Sequence, residues 1–465
     1  MQKEISLFDR TLLRFRSAWQ GLNRGDGDIV ALKLRPNLPE ADVHLLRQQM
    51  QECLQGTGGE VSARSRAAGL GHSYLRLNDI GKQRFLSILA DDFGPDTDAL
   101  VAATRALQDA ADTSEQTAAE SRLRDLATPP RMRLLTRFNA LPQGVRFLVD
   151  LRADLRRYLP EHAELINLDN DLKSLLRSWF DVGFLDLQRI TWDHPASLLE
   201  RLITYEAVHE IRSWQDLHNR LQSDRRIYAF FHPRMPQEPL IFVQVALVRE
   251  ITNSVQTLLD EEAPLLEQSE ATTAVFYSIS NTQKGLQGVS FGDFLIKRVV
   301  QLLRRDLPGL KTFVTLSPVP GLRRYLESLP AATRDELIGE SDLSRISKAG
   351  NGDDLPAILA APNWHHGEAL AAVLKEPMKR LCAHYLLTEK RQQRALDPVA
   401  NFHLDNGARL EQINWLADTS KNGLRKSAGL MVNYLYKLAD IEKNHERYRG
   451  SGEVAATAAV RNLLK

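Results

Sequence analysis

The chain has 465 residues, 43% of them hydrophobic, with 60 basic and 59 acidic side chains and a formal charge of +1. That length and apolar content suit two or three domains with sizeable cores, and the balanced charge argues against a dedicated nucleic-acid or membrane-surface binder. Cys53 and Cys382 are too few and too isolated for a disulfide framework or a Cys-type zinc site, and they suit a reducing cytosol. The opening MQKEISLFDR carries early acids and no apolar segment, so it reads as neither a secretory signal nor an organelle presequence. The apolar stretch Leu240–Val248 is too short to span a bilayer and contains Gln244. A cytoplasmic protein without nucleic-acid or membrane partners is expected.

Residues 1 to about 180 read as helices. Leu7, Leu12, Leu13, Phe15 and Trp19 mark a first amphipathic segment, and Ala41–Leu54 follows Pro39, where a helix start tolerates proline. Gly56–Gly71, rich in Gly, Ser and Ala, reads as a loop. Helical patterns resume at Leu77–Asp92, Asp96–Asp112, Ser114–Leu126, Arg131–Ala140, Gln143–Tyr158 and Leu165–Phe180, punctuated by Pro95, Pro129, Pro130 and Pro142. With no clustered His, Cys or carboxylates, this half is expected to be structural rather than catalytic.

The pattern changes near Gly183. Leu187–Trp192, Arg226–Phe231 and Leu240–Arg249 read as strands, Ser197–Ile211 and Trp214–Leu221 as helices, and HPRMPQEP as a stiff proline-bearing loop. Gln244 sits mid-strand and is either a pocket-facing polar group or part of a solvated face. Ala274–Pro320 then runs strand, glycine-bearing loop, amphipathic helix and second strand. Gly285, Gly288 and Gly292 fall within eight residues, and Leu295, Val299, Leu302 and Leu303 recur at helical spacing until Pro308. A loop entering a helix N-terminus offers unpaired N–H groups to an anion such as pyrophosphate, but the same loop can equally bind nothing. With about five strands, this half reads as a mixed α/β or α+β domain around one sheet.

After Pro320 helices return at Leu322–Leu329, Ala332–Ile338 and Gly367–Leu386, the last interrupted by Pro377. Residues 397–443 place His403, Asn406, Asn414, Trp415, Asp418 and Tyr434 among apolar neighbours, so they form either a well-bonded core corner or a site. The tail Gly450–Lys465 reads as frayed or loosely helical. The chain lacks GxxxxGK[ST] and HExxH, so ATP hydrolysis and zinc proteolysis have no support.

Four blocks carry a likeness: YSISNTQKGLQGVSFGDFLIKRVV (277–300), TLSPVPG (315–321), DPVANFHLDNGA (397–408) and INWLADTS (413–420). In this order they closely resemble malonyl-CoA decarboxylases, over roughly residues 180–440 and with a helical N-terminal half as well. The resemblance implies a helical bundle over 1–180, structural and oligomerising, followed over 181–465 by a catalytic domain with the GNAT acetyltransferase fold, a GNAT-like mixed sheet. It implies conversion of malonyl-CoA to acetyl-CoA and CO2 in fatty acid metabolism, without metal or organic cofactor, by a homo-oligomer, dimer or tetramer.

Carried over residue by residue, the resemblance makes Ser317 the proton acceptor and His403 the proton donor; Asn406 and Tyr436 stand beside them, apart from the resemblance, as candidates for orienting the pair. It makes Gln287, Gly288, Val289, Ser290, Phe291, Gly292 and Asp293 the CoA loop, with Ser290 where the superfamily prefers Gly and some relatives carry Glu. Ser278 on the preceding strand and Lys284 or Lys297 near phosphate complete the expected substrate site. A lone Ser before Pro is ordinarily a turn-former, and a lone His among apolar residues is ordinarily a satisfied core group. The alternatives are a CoA-dependent acyltransferase on the same fold and a non-catalytic acyl-CoA-binding protein.

Overall fold

A computed structural model of the protein describes residues 32–56, 59–180, 182–289 and 295–465. The expected segment at Leu7–Trp19 and the loop positions Ser290, Phe291, Gly292 and Asp293 lie outside the described residues. The chain divides into two compact units, Met1–Leu185 with His232–Glu238 and Gln283–Phe291, and Asp186–Phe231 with Pro239–Thr282 and Gly292–Lys465. No described helix is long and apolar enough to cross a membrane.

In the first unit the helices run Glu40–Gln55, Gly59–Arg76, Asp79–Asp91, Thr97–Asp109, Thr113–Ala127, Pro130–Asn139, Gly144–Tyr158 and Ile166–Trp179. Their starts follow local chemistry. Asn78 accepts from the Gly81 N–H at 3.0 Å, Asp96 from Ala99 at 3.0 Å and Asp112 from Ser114 and Glu115, while Pro130 fills a first helical position whose N–H would be idle. The expected loop at Gly56–Gly71 is instead mostly the helix Gly59–Arg76. Its small residues are a packing device rather than a break, since Ala67, Ala68 and Leu70 are all buried.

Apolar side chains at three- and four-residue spacing face one core. Along Gly144–Tyr158 these are Phe147, Leu148, Leu151 and Leu155. Tyr74 stands edge-on to both Phe85 and Phe147, with ring centroids 5.0 and 5.8 Å away. Its hydroxyl donates to Asp154, which also takes the Lys82 ammonium at 2.8 Å. Thr97–Asp109 and Thr113–Ala127 differ from the rest, because Ala103 is the one residue of theirs that is buried.

The second unit is built on an eight-stranded sheet, where about five strands were expected. Its strands are β1 (Asp186–Ile190), β2 (Arg225–His232), β3 (Met235–Val248), β4 (Thr273–Asn281), β5 (Thr312–Thr315), β6 (Ser317–Pro318), β9 (Arg409–Asn414) and β10 (Met431–Leu435); β7 (Lys390–Arg391) and β8 (Arg394–Ala395) pair separately. The order is β1-β2-β3-β4-β5-β10-β6, with β9 also on β10. The β4–β5 pair is parallel, Thr273 opposite Thr312 through Phe276 opposite Thr315, and the helix Leu295–Asp306 connects the two strands. One face buries Ile227, Ala229, Phe231 and Phe242 with Leu198, Leu199 and Leu202 of the helix Ala196–Tyr205.

Three expectations are corrected here. HPRMPQEP is not a long stiff loop: β3 already begins at Met235, and the Arg234 N–H donates to His232 Nδ1 across a tight turn. β9 and β10 were hidden by asparagines that bond to one another inside the sheet. Asn414 Nδ2 donates to Asn433 Oδ1 at 2.6 Å, and Asn433 Nδ2 donates to the Thr315 carbonyl at 2.8 Å. Of the two readings of the tail the frayed one falls and the helical one stands: Ala458–Arg461 is helical, and Leu410 of β9 donates to the Ala455 carbonyl and accepts from the Thr457 N–H.

Candidate active site

Strand periodicity and one helix bring the central groups together. In a strand, residues two apart share a face, so Thr315 and Ser317 point the same way across the β5–β6 junction. On the neighbouring β10 Val432 lies opposite Ser317, and Tyr434 on that strand and Tyr436 just past its end are likewise two apart. His403 comes from the helix Pro398–Asp405. Asp397 caps that helix by accepting from the Val399 and Ala400 N–H groups, and Pro398 occupies its first position. The other Asp397 oxygen accepts from the Gly321 N–H at 3.1 Å. One carboxylate therefore ties the segment after Ser317 to the helix that carries His403.

His403 Nε2 lies 2.9 Å from Ser317 Oγ, and Ser317 Oγ donates to Thr315 Oγ1 at 2.9 Å. On the other side of the ring, Nδ1 lies 2.8 Å from the Tyr436 hydroxyl. Tyr434 stacks on the imidazole with centroids 4.6 Å apart. Its own hydroxyl is buried without a hydrogen-bond partner. Ser317 is 6% exposed and His403 2%.

Burial fixes the charge states. It lowers the His403 pKa to about 3, so the imidazole is neutral, and it pushes the Tyr436 hydroxyl well above the usual tyrosine range, so that proton stays on oxygen. Among the described residues Tyr436 OH has His403 Nδ1 as its hydrogen-bond partner. Ser317, His403 and Tyr436 are all satisfied when Tyr436 donates to Nδ1 and the ring proton sits on Nε2, aimed at Ser317. Burial also raises Asp397 to about 6.

A stability prediction follows for His403. The unfolded imidazole protonates near 6.5 and the folded one near 3, so between these values the unfolded chain binds the extra proton and folding weakens as pH falls. Asp397, with its raised value, acts in the opposite sense between its ordinary range and about 6, so total stability mixes both. The comparison with His403→Asn isolates the histidine: from pH 6.5 to 5 the parent should lose about 1.6 kcal/mol in all more than the variant, the slope steepening toward about 1.4 kcal/mol per pH unit at the acid end. Parallel urea midpoints across that range would contradict the buried neutral imidazole.

The other expected site residues lie elsewhere. Asn406 Nδ2 donates to the Phe402 carbonyl one turn back in its own chain at 2.8 Å. Ser278 donates to Glu206 at 2.7 Å, in a buried cluster where Gln244 also donates to Glu206 and accepts from Tyr277 OH. Gln244 is thus a buried polar group and not part of a solvated face. Lys297 pairs with Glu442 at 2.7 Å.

The described part of the glycine loop is held within the first unit by Arg152, which is fully buried. Arg152 donates to the Gly285 and Gln287 carbonyls at 2.7 and 3.0 Å and grips Asp169 through two hydrogen bonds of 2.8 and 3.1 Å. Arg156 donates to the Gln287 side chain at 3.0 Å, and a β-carbon added at Gly288 would lie 3.5 Å from Lys173 Nζ. Gly288 has φ +76°, a conformation that favours glycine. Gly285 has no room for a side chain, since a β-carbon would lie 1.8 Å from the Val149 carbonyl oxygen.

Thr315, Asp397 and Arg152 escaped the reading of the sequence. Thr315 was available from the two-residue strand period before Ser317, and Asp397 from the Asp-Pro start of a helix. No local pattern announces Arg152. Among the described residues no group of three or more His, Cys, Asp or Glu could hold a metal ion.

A helical unit joined to a mixed-sheet unit that carries a buried Ser–His–Tyr chain defines the class of protein. The sequence matches the malonyl-CoA decarboxylase N-terminal domain over residues 93–180 and the malonyl-CoA decarboxylase C-terminal domain over residues 183–465. It is 41% identical over 411 residues to the mitochondrial malonyl-CoA decarboxylase of Anser anser anser, covering 84% of this chain and 82% of that protein. It is 38% identical to the Rattus norvegicus protein of the same name, covering 93% and 90%. Solved malonyl-CoA decarboxylases from Rhodopseudomonas palustris (TM-score 0.82, 44% identity) and Agrobacterium vitis (0.79, 43%) each superpose on 90% of this chain and 99% of their own. The chain belongs to the malonyl-CoA decarboxylase family.

Proposed function

We propose that this protein decarboxylates malonyl-CoA to acetyl-CoA and CO2 through a thioester enolate, using Ser317 and His403 and no metal or organic cofactor. The observation that carries the reading is the 2.9 Å approach of Ser317 Oγ and His403 Nε2, two groups 86 residues apart in sequence. Family membership supports the substrate, and the parallel β4–β5 pair joined through a glycine loop and helix supports a GNAT-like catalytic domain.

The chemistry follows from charge. As the carboxylate leaves as CO2, the electron pair of the broken C–C bond moves into the thioester, and charge builds on its oxygen. A donor directed at that oxygen lowers the barrier because it binds the enolate better than the reactant. The Ser317 hydroxyl and the His403 Nε2–H are such donors. A neutral imidazole has a further advantage, because an imidazolium would pair with the malonyl carboxylate and stabilise the reactant instead. The Nε2 proton then passes to the carbon and leaves the ring as an imidazolate, held at Nδ1 by the Tyr436 hydroxyl until solvent restores the Nε2 proton, so one proton is consumed per turnover.

On the same reading the loop Gln287–Asp293 holds the CoA pyrophosphate, with Arg156 and Lys173 supplying positive charge beside its described part. Incubation with malonyl-CoA in the presence and absence of an amine acceptor tests the function. A decarboxylase consumes the substrate equally in both, an acyltransferase requires the acceptor, and a mere binder consumes none.

We propose further that residues 1–180 act as a structural module that supports self-association, and that 181–465 carry the chemistry. The exposed helices Thr97–Asp109 and Thr113–Ala127, with Val101 46% exposed, support this. Val101→Glu should lower the subunit number seen by light scattering, and an unchanged number at matched concentration would contradict the assembly role.

A further inference from the structure

A second site of a different character lies in the sheet unit. A cavity of about 910 Å³ is bordered by Pro320, three residues beyond Ser317. Its wall gathers Arg323, Arg324, Lys421, Arg425 and Lys426 against a single carboxylate, Glu327. That carboxylate is already engaged: Arg323 donates to it at 3.1 Å and to the Leu359 carbonyl at 2.8 Å. Arg425 donates to the neutral Asn422 side chain at 2.9 Å. Arg324, Lys421, Arg425 and Lys426 form no ion pair among the described residues.

This arrangement departs from the rest of the chain, whose 60 basic and 59 acidic side chains nearly cancel. Other cations of this unit are matched, as in Arg212 with Glu261 and Arg449 with Asp405. Exposed basic residues on a convex surface are ordinarily just solvated. Here the four unmatched charges share a concave wall, where they repel one another and where the field of like charges is focused on any anion that enters. The same wall includes His365, whose Nδ1 is buried without a partner.

The cations come from two elements, Arg324 from the helix Leu322–Ser328 and the other three from Lys421–Ser427. These elements are linked, since the Val319 N–H donates to Ser427 Oγ at 3.1 Å. A ligand that satisfies both must therefore carry more than one anionic group. We propose that this cavity binds a polyanion with two or more phosphate groups. The phosphates belong either to the nucleotide end of a CoA thioester, which then lies here and not on the loop Gln287–Asp293, or to a separate phosphorylated metabolite. The proposal does not depend on the decarboxylase reading.

The test uses the full chain and a combined variant, Arg324→Gln with Lys421→Gln and Lys426→Gln, whose folding is checked by thermal melting. Calorimetry with inorganic pyrophosphate should show binding to the parent and affinity weaker by about tenfold or more in the variant. Malonyl-CoA and its 3′-dephospho form separate the two sources. If the phosphates are those of CoA, the variant raises KM for malonyl-CoA with kcat kept, and the difference disappears with the dephospho substrate. If they belong to another metabolite, KM is unchanged while pyrophosphate binding is lost. Absence of pyrophosphate binding to the parent, or equal affinity in a folded variant, overturns the proposal. Because binding is read without turnover, a protein that decarboxylates nothing still decides the question.

Discussion

Ser317→Ala and His403→Asn should each slow acetyl-CoA formation by about 10²–10³ while CoA still binds. That is the usual cost of losing one donor aimed at developing charge in a dry site. Both side chains are buried and share one hydrogen bond, so they act as a unit. The double variant should then be little worse than the poorer single one, far short of the product of the two losses. Tyr436→Phe belongs to the same test, because it removes the donor to Nδ1 that holds the ring proton on Nε2. Single-turnover rates with CoA affinity measured alongside decide the matter. A folded His403→Asn protein with near-parental turnover would remove the imidazole from the chemistry.

The second large effect is expected at Arg152. Replacing it by leucine strips four hydrogen bonds from a side chain with no solvent exposure, leaving Asp169 and the Gly285 and Gln287 carbonyls without that partner. Breaking a buried pair on one side costs about 3–5 kcal/mol, and the lower end applies here because Arg156 remains 3.6 Å from Asp169. Urea unfolding should register a loss of that size, and the loosened loop should weaken CoA affinity. Removing both charges, as Arg152→Leu with Asp169→Leu, should cost less than Arg152→Leu alone. A single variant as stable as the parent, or a double variant that is worse, would show that the ion pair does not anchor the loop.

Much of the architecture could be read from the residues because its signals are local. The helices from Asp79 to Asn139 begin at Asn, Asp or Pro starts, and the two from Gly144 to Trp179 keep an apolar stripe, so the expected bounds fall within a few residues of those observed. Ser317 and His403 were legible through the sequence blocks that contain them, whereas Tyr436 lies outside those blocks. Legibility failed where tertiary packing overrode composition. Gly59–Arg76 looked like a loop because its residues are small, yet that smallness lets it pack closely. β9 and β10 looked like a polar corner because Asn414 and Asn433 satisfy each other only once the strands are adjacent. Ser278 looked available to a ligand, but Glu206, 72 residues earlier, takes its hydroxyl. Such long-range pairings leave no period in the sequence.

The central claim is that the malonyl carboxylate leaves as CO2 with no acceptor for the acyl group. Malonyl-CoA carrying 13C in its free carboxyl, supplied as the sole organic reactant, tests this most directly. The account predicts that all of the label appears as CO2, with one unlabelled acetyl-CoA for each CO2 released. Label retained in an acyl product, or no turnover without an added acceptor, would contradict it.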